Sequence, residues 1–100
     1  MADKNQFSID EQTISKLGLQ PARKQINANI APDARVFDYP GLDDVFVMES
    51  DLYGNKMPKH SCFLVFMGQH GLIGKHLKVE TLNNASLQDI RNMVDNHNEG

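Results

Sequence analysis

The spacing of apolar residues changes at Pro32, and this change constrains the fold more than any other feature of the chain. Before Pro32 the apolar residues recur at positions i, i+3 and i+4, which is the spacing of amphipathic helices. After Pro32 they alternate with polar residues, which is typical of strands. Residues 87–94 return to the helical spacing. The chain therefore combines helices with a sheet that lies between them in the sequence.

Three helices follow from these patterns and from their end signals. The first is predicted over residues 9–17, with Gly18 as its C-terminal stop. The second is predicted over residues 21–30, because Pro21 fits a first helical position and apolar residues recur at every fourth position after Ala22. The third begins after Ser86, since serine commonly caps helix N-termini.

Four strands are predicted between the second and the third helix. Gly54 and Asn55 form a favoured two-residue turn between the second and third strands, and the stretch GQHGLIGKH forms the corner between the third and the fourth. These turns set the register, which places Val47 opposite Cys62 and Leu64 opposite Leu77, and so decide which side chains share a face. The four strands cover residues 34–39, 45–53, 56–67 and 72–82.

One face of this sheet is predicted to be the core, because the register of the two hairpins collects apolar side chains there. These core residues are Val45, Val47, Cys62, Leu64, Leu77 and Val79. We expect an α+β fold with an antiparallel four-stranded sheet, two N-terminal helices and one C-terminal helix packed mainly on that face, in the order α-α-β-β-β-β-α. Residues 1–100 form one domain, in which residues 1–6 and 98–100 are expected to be frayed.

The second face of the sheet is the candidate binding surface. Three short helices cover one sheet face but not two, so the other face is expected to meet water, a partner, or another segment of the same chain. Its side chains mix aromatic, aliphatic and basic groups. The predicted partner-binding residues are Phe46, Met48, Phe63, Val65, His76 and Lys78.

No catalytic, metal or cofactor site is predicted. The glycine stretch lacks the first glycine and the hydroxyl residue of a phosphate-binding P-loop, and it precedes a strand, whereas a P-loop precedes a helix. His60 and Cys62 share one face of a strand while His76 points to the other, so one ion cannot reach all three. Cys62 stands among apolar residues that offer no charge to activate its thiol. His60 is expected to pair with Glu49 across two strands.

Residues 11–30 resemble the helix-turn-helix of bacterial repressors, through TISKLGL followed by a polar and basic helix. The resemblance implies that the helix over residues 21–30 enters a groove of DNA. Two departures favour a solvated helix face instead: Lys24 stands where the motif is apolar, and Ile14 stands where it is usually small. The residues named for nucleic-acid binding are Arg23, Lys24, Asn27 and Lys75, with Phe46 and Phe63 as stacking platforms for single-stranded bases.

Charge and cysteine content bound the function classes. The formal net charge is −3 with a pI near 5.7, so the molecule as a whole does not attract nucleic acid or an anionic membrane. A single cysteine and an N-terminus without an apolar run are typical of a cytoplasmic protein. We therefore expect a small non-catalytic, regulatory or protein-interaction module without membrane attachment, which binds a protein partner or its own copy as a homodimer. A nucleic-acid-binding regulator is the alternative.

Overall fold

The computed structural model of the chain describes residues 8–68 and 71–99. Its helices and strands follow one another as α1 (Glu11–Leu17), β1 (Gln20–Pro21), β2 (Val36–Tyr39), β3 (Leu42–Met48), β4 (Ser61–Gly68), β5 (Gly71–Lys78), α2 (Val79–Asn84) and α3 (Leu87–Glu99). The strands form one antiparallel sheet in the order β1-β2-β3-β4-β5, so each strand pairs with its neighbours in the sequence. Every helix in the described residues is too short or too polar to cross a bilayer.

The prediction of four strands and two N-terminal helices is wrong. Residues 21–30 form no helix: Gln20–Pro21 is a short edge strand on β2, and the residues after it cross the sheet outside any helix or strand. Asn27 and Asn29 are weak helix formers, and a helix of this length is marginal in water. The predicted last strand also ends early, at Lys78, where α2 begins.

Side-chain caps explain where the first and last helices begin. α1 begins at Glu11 because Asp10 is its N-cap, with Asp10 Oδ1 accepting the N–H of Thr13 at 2.9 Å. Before α3, Ser86 Oγ accepts the N–H of Asp89 at 3.1 Å, and Asp89 Oδ2 accepts the N–H of Ser86 at 2.9 Å. This reciprocal pair is a capping box, and it confirms the predicted start of the C-terminal helix.

The strand registers differ from the predicted ones by an even number of residues, which leaves the facing of every side chain unchanged. Val47 lies opposite Leu64 and not opposite Cys62, and Leu77 lies opposite Cys62 and not opposite Leu64. Both pairings are displaced by two residues. Because side chains alternate with a period of two, a shift of two keeps each one on its predicted face.

The register shift between β3 and β4 arises in residues 49–60, which form a longer connection than the predicted hairpin. Asp51 Oδ1 accepts the N–H of Tyr53 at 2.8 Å and the N–H of Asn55 at 2.9 Å. These bonds close a local turn in which Gly54 has a φ of 89°, a conformation that favours glycine. The turn contains Gly54 and Asn55 as predicted, but the N–H of Asp51 donates to the carbonyl oxygen of Asn55 at 2.9 Å, so the predicted two-residue turn is wrong and the regular ladder begins only at β4.

The predicted core face is confirmed. Its six predicted residues are all buried, from Val47 with no exposed surface to Leu77 with 7%, although Val79 belongs to α2 and not to the predicted strand. Ile9, Leu82 and Ile90 pack against them from the segment before α1, from α2 and from α3. We call this side of the sheet the helix-covered face.

The second face is closed by the chain itself, so the expectation that it lies open is wrong. Residues 22–31, which we call the strap, lie across it. The strap residues that pack on this face are Ala22, Ile26 and Ile30. The face carries aromatic and aliphatic side chains whose exposure costs roughly 25 cal/mol per Å². The alternative, cover by another segment of the same chain, is confirmed.

Two adjacent polar residues after β3 are buried and fasten the layers on opposite faces of the sheet. The Glu49 carboxylate accepts the N–H of Ile9 at 2.9 Å and forms an ion pair with Arg35, whose Nε lies 2.7 Å from Glu49 Oε1. Ser50 Oγ accepts the N–H of Ala31 at 2.8 Å. Glu49 therefore ties the residues before α1 to the helix-covered face, and Ser50 ties the end of the strap to the other face.

Candidate interaction edge of the sheet

The sheet has two edges of very different length. β1 contributes only Gln20 and Pro21, and Pro21 has no N–H to offer to a further strand. β5 is 8 residues long, and its only strand partner in the described residues is β4. A long unpaired edge strand presents backbone donors and acceptors to any extended chain that approaches it. β5 is therefore the candidate interaction site.

The hydrogen-bond pattern of β5 shows which of its residues face outward. The N–H of Val79 donates to the carbonyl oxygen of His60 at 2.8 Å, which marks a hydrogen-bonded pair just beyond the end of the strand. Such pairs alternate along an antiparallel ladder, so every second residue counted back from Val79 bonds to β4. The β5 residues that direct N–H and C=O groups away from β4 are Leu72, Gly74, His76 and Lys78, the last of which is also the N-cap of α2.

The side chains of this edge are basic. No acidic residue occurs between Gly71 and Val79, whereas Lys75, His76 and Lys78 stand close together. His76 and Lys78 are exposed, and Lys75 is half-buried. Neither lysine forms an ion pair with another residue of the described chain. In a chain of net charge −3, the two lysines make β5 a local region of positive charge, and Glu80 and Asp89 line a cleft with Lys78 where the strand ends.

The glycines of the predicted corner have separate roles. Gly68 pairs with Gly71 at the ends of β4 and β5, which confirms the predicted hairpin. Residues 69 and 70, which include His70, lie outside the described residues. A Cβ atom at Gly74 would overlap the ring of Phe63, so glycine at this position lets that ring lie across β5.

The structure divides the six predicted partner-binding residues into two groups. Those buried on the face beneath the strap are Phe46, Met48 and Val65. Phe63 is half-buried and packs against them. His76 and Lys78 are exposed, and both lie on β5. A binding role for these two residues stays a prediction, and it now refers to a sheet edge and not to an open face.

The four residues named for nucleic-acid binding do not come together. Arg23 and Lys24 lie just after β1, each near an aspartate, at 3.4 and 3.8 Å respectively. Asn27 belongs to the strap, because the predicted DNA-reading helix does not form. Lys75 lies on the opposite edge of the sheet, across four strand spacings or about 19 Å. Binding of nucleic acid by these residues stays a prediction, without a continuous surface to support it.

A cleft of about 730 Å³ lies beside β1, at the edge of the sheet opposite β5. Its walls carry both signs of charge, from Arg23 and Lys24 and from Asp38 and Asp43. Because these charges balance, the cleft favours neither an anionic nor a cationic ligand.

Cys62 and His60 form no reactive pair. Burial, with a smaller contribution from the Glu49 carboxylate, raises the pKa of the Cys62 thiol to about 12. The predicted cross-strand pair of His60 with Glu49 is wrong, because Arg35 occupies that carboxylate and His60 is exposed. In the part of the chain that the structure describes, no group of three or more His, Cys, Asp or Glu side chains is placed to hold a metal ion.

His76 and Lys78 were predicted on a sheet face, and the position of β5 at the edge of the sheet was missed. A signal for the edge was present in the run Lys75-His76-Leu77-Lys78, since charged side chains, and lysine in particular, are typical of edge strands. The Arg35–Glu49 ion pair was also missed. Its two residues lie opposite each other just before β2 and just after β3, and that placement depends on the register of these strands.

The fold and its edge define an α+β protein with an antiparallel sheet that ends in a basic strand. No protein-family model, no curated protein and no solved structure matches the chain.

Proposed function

We propose that the chain is a non-catalytic protein-binding module, and that an extended segment of a partner protein adds to its sheet along β5. The observation that carries this proposal is the outward direction of the N–H and C=O groups of Leu72, Gly74 and His76. These groups have no strand partner in the described residues. Strand addition uses main-chain hydrogen bonds of this kind for affinity and side-chain contacts for specificity.

The dimensions of β5 suit such a partner. At about 3.4 Å per residue, its 8 residues span roughly 27 Å. Each added backbone hydrogen bond contributes a net stabilisation of only about 0.5–1.5 kcal/mol. Association itself costs at least about 4 kcal/mol, so backbone bonds alone give weak binding. Side chains beside the edge must therefore supply the remaining affinity and the choice of partner.

A second copy of this chain is a poorer partner than a different protein. Outward residues pair only with outward residues, and the antiparallel self-pairings that overlap most of β5 centre on Gly74 or on Lys75. A centre at Lys75 places two lysines directly opposite each other, and like charges in that position are destabilising. A centre at Gly74 still brings two basic strands side by side. We therefore expect the molar mass of one chain in solution.

The proposal is tested by titrating the 15N-labelled chain with short peptides rich in Thr and Val, followed by NMR. Chemical-shift changes are expected to concentrate at the amides of Leu72, Gly74 and His76. His76→Pro removes an outward N–H without removing a bond to β4, so it should abolish binding while the fold survives. His76→Ala is the matched control, since it removes the same side chain but keeps the N–H, and it should bind.

Two results would overturn strand addition at β5. The first is that peptides shift amides elsewhere, or nowhere, at millimolar concentration. The second is that His76→Pro and His76→Ala bind a peptide equally well. Light scattering on the same samples distinguishes a further case, because a mass of two chains that is lost in His76→Pro and kept in His76→Ala would show that β5 pairs with its own copy.

A further inference from the structure

We infer that the segment bound along β5 is acidic and carries two carboxylates three positions apart in its own sequence. The inference rests on the proposed strand addition and deepens it. It starts from Lys75 and Lys78, which stand three positions apart on β5 and have no ion-pair partner in the described chain. Charged groups directly opposite each other on neighbouring strands stabilise the pairing when their signs differ.

The two lysines lie on opposite faces of the sheet. Leu77 belongs to the core of the helix-covered face, and Lys75 shares its side because side chains alternate along a strand. Leu72 packs with the strap-covered cluster, and Lys78 shares the side of Leu72. An added strand must therefore present one carboxylate to each face. Residues three apart in a strand do this, whether the strand runs parallel or antiparallel to β5.

The two lysines are not equivalent. On its outer side Lys75 occupies a non-hydrogen-bonded position, where Cα atoms of an antiparallel pair lie about 4.5 Å apart. Lys78 occupies a hydrogen-bonded position, where the distance is about 5.5 Å. Lys75 is also half-buried, so water screens its charge less than it screens that of Lys78. The carboxylate opposite Lys75 should therefore contribute more to binding than the one opposite Lys78.

The experiment compares three matched Thr/Val peptides that carry Glu, Gln or Lys at their second and fifth positions. NMR titration of the β5 amides is expected to show about tenfold tighter binding of the Glu peptide than of the Gln peptide at low salt, and the weakest binding for the Lys peptide. The difference between Glu and Gln should shrink at high salt. A fourth peptide with Glu at its second and fourth positions presents both carboxylates to one face, and it should bind less tightly than the first.

Two double variants locate the attraction. Lys75→Gln with Lys78→Gln should bind the Glu and Gln peptides equally, because the backbone edge is unchanged while its charge is removed. Lys16→Gln with Lys24→Gln lowers the net charge by the same amount at positions away from β5, and it should keep the preference for Glu.

The outcomes separate this inference from the proposed function. Equal binding of the Glu and Gln peptides at the β5 amides of the unmodified chain overturns the acidic partner and leaves strand addition intact. Loss of the preference in the control double variant also overturns it, because the attraction would then come from the whole molecule. If no peptide shifts the β5 amides, strand addition itself is overturned.

Discussion

The two faces of the sheet are closed by layers of different kinds. On the helix-covered face, α1, α2 and α3 form their backbone hydrogen bonds within themselves. On the other face, two backbone N–H groups of the strap donate to the sheet side instead. The N–H of Ala22 donates to the carbonyl oxygen of Val36, and the N–H of Ala31 donates to Ser50 Oγ. A layer without regular structure can therefore close an apolar sheet face, provided that the sheet side satisfies its buried polar groups.

Glu49 and Ser50 make this comparison testable, because they are adjacent, equally buried and fasten opposite layers. Glu49 is 3% exposed and Ser50 is fully buried. Glu49 holds its layer through an ion pair as well as a hydrogen bond, whereas Ser50 holds the strap through one neutral hydrogen bond. Removal of the charged side chain should therefore cost more than removal of the neutral one.

Glu49→Ala is expected to have the largest effect, with a loss of about 3 kcal/mol in the free energy of unfolding. The variant leaves the Arg35 guanidinium without its buried carboxylate and the N–H of Ile9 without an acceptor. Urea unfolding followed by circular dichroism measures the loss. Glu11→Ala is the control, since Glu11 is exposed and lies 3.6 Å from the same guanidinium, and it should cost about 0.5 kcal/mol or less. Similar losses for both variants would contradict the role of Glu49 as the fastener.

Acid pH should weaken the same contact. Burial alone would raise the pKa of Glu49, but hydrogen bonds from Arg35 and from the N–H of Ile9 outweigh it and hold the pKa below its ordinary value of 4.5. The ionised carboxylate therefore stabilises the folded chain above pH 4.5, and this contribution is lost as the pH falls from 4.5 through the lower folded-state pKa. The free energy of unfolding, measured with urea at neutral and at acid pH, should fall less between these two pH values for Glu49→Ala than for the unmodified chain. An equal pH dependence in the two proteins would contradict this assignment.

The helix-covered face could be predicted from sequence because it depends only on alternation. Val45 and Val47 stay on that face for any even displacement of the register. An error of two residues in the predicted register therefore leaves their predicted face unchanged. The start of the last helix was also predictable, since the Ser86–Asp89 capping box is a local pattern.

The strap and the β5 edge could not be predicted in the same way. Apolar residues at every fourth position, as at Ala22, Ile26 and Ile30, pack on a sheet from a helix or from an irregular crossing, and periodicity alone does not distinguish these. Which strand lies at an edge depends on long-range pairing. The short strand Gln20–Pro21 lies at the other edge of the sheet, and two residues are too few to show the alternation by which strands are predicted.

Ser50→Ala is expected to cost about 1–2 kcal/mol, less than Glu49→Ala, because it leaves the neutral N–H of Ala31 without a partner. The loss should be local to the strap. Amide exchange of Ala31 should therefore accelerate more than that of core amides such as Leu64. Ser15→Ala, on an exposed position of α1, is the control and should change neither quantity measurably. Uniform acceleration across both faces would show that the strap does not open separately.

Lys24→Ala should have the smallest effect, within about 0.5 kcal/mol of zero. Lys24 is an exposed residue near the start of the strap, and its Nζ lies 3.8 Å from Asp44 Oδ1. Both side chains are more than two-thirds exposed, at 68% and 75%. Water and salt screen such a pair, so urea unfolding at low and high salt should give the same difference between the variant and the unmodified chain. A loss as large as that of Ser50→Ala would show that surface charges fasten the strap. A negligible loss in the free energy of unfolding would show that the strap is held by its apolar contacts with the sheet and by the hydrogen bond to Ser50.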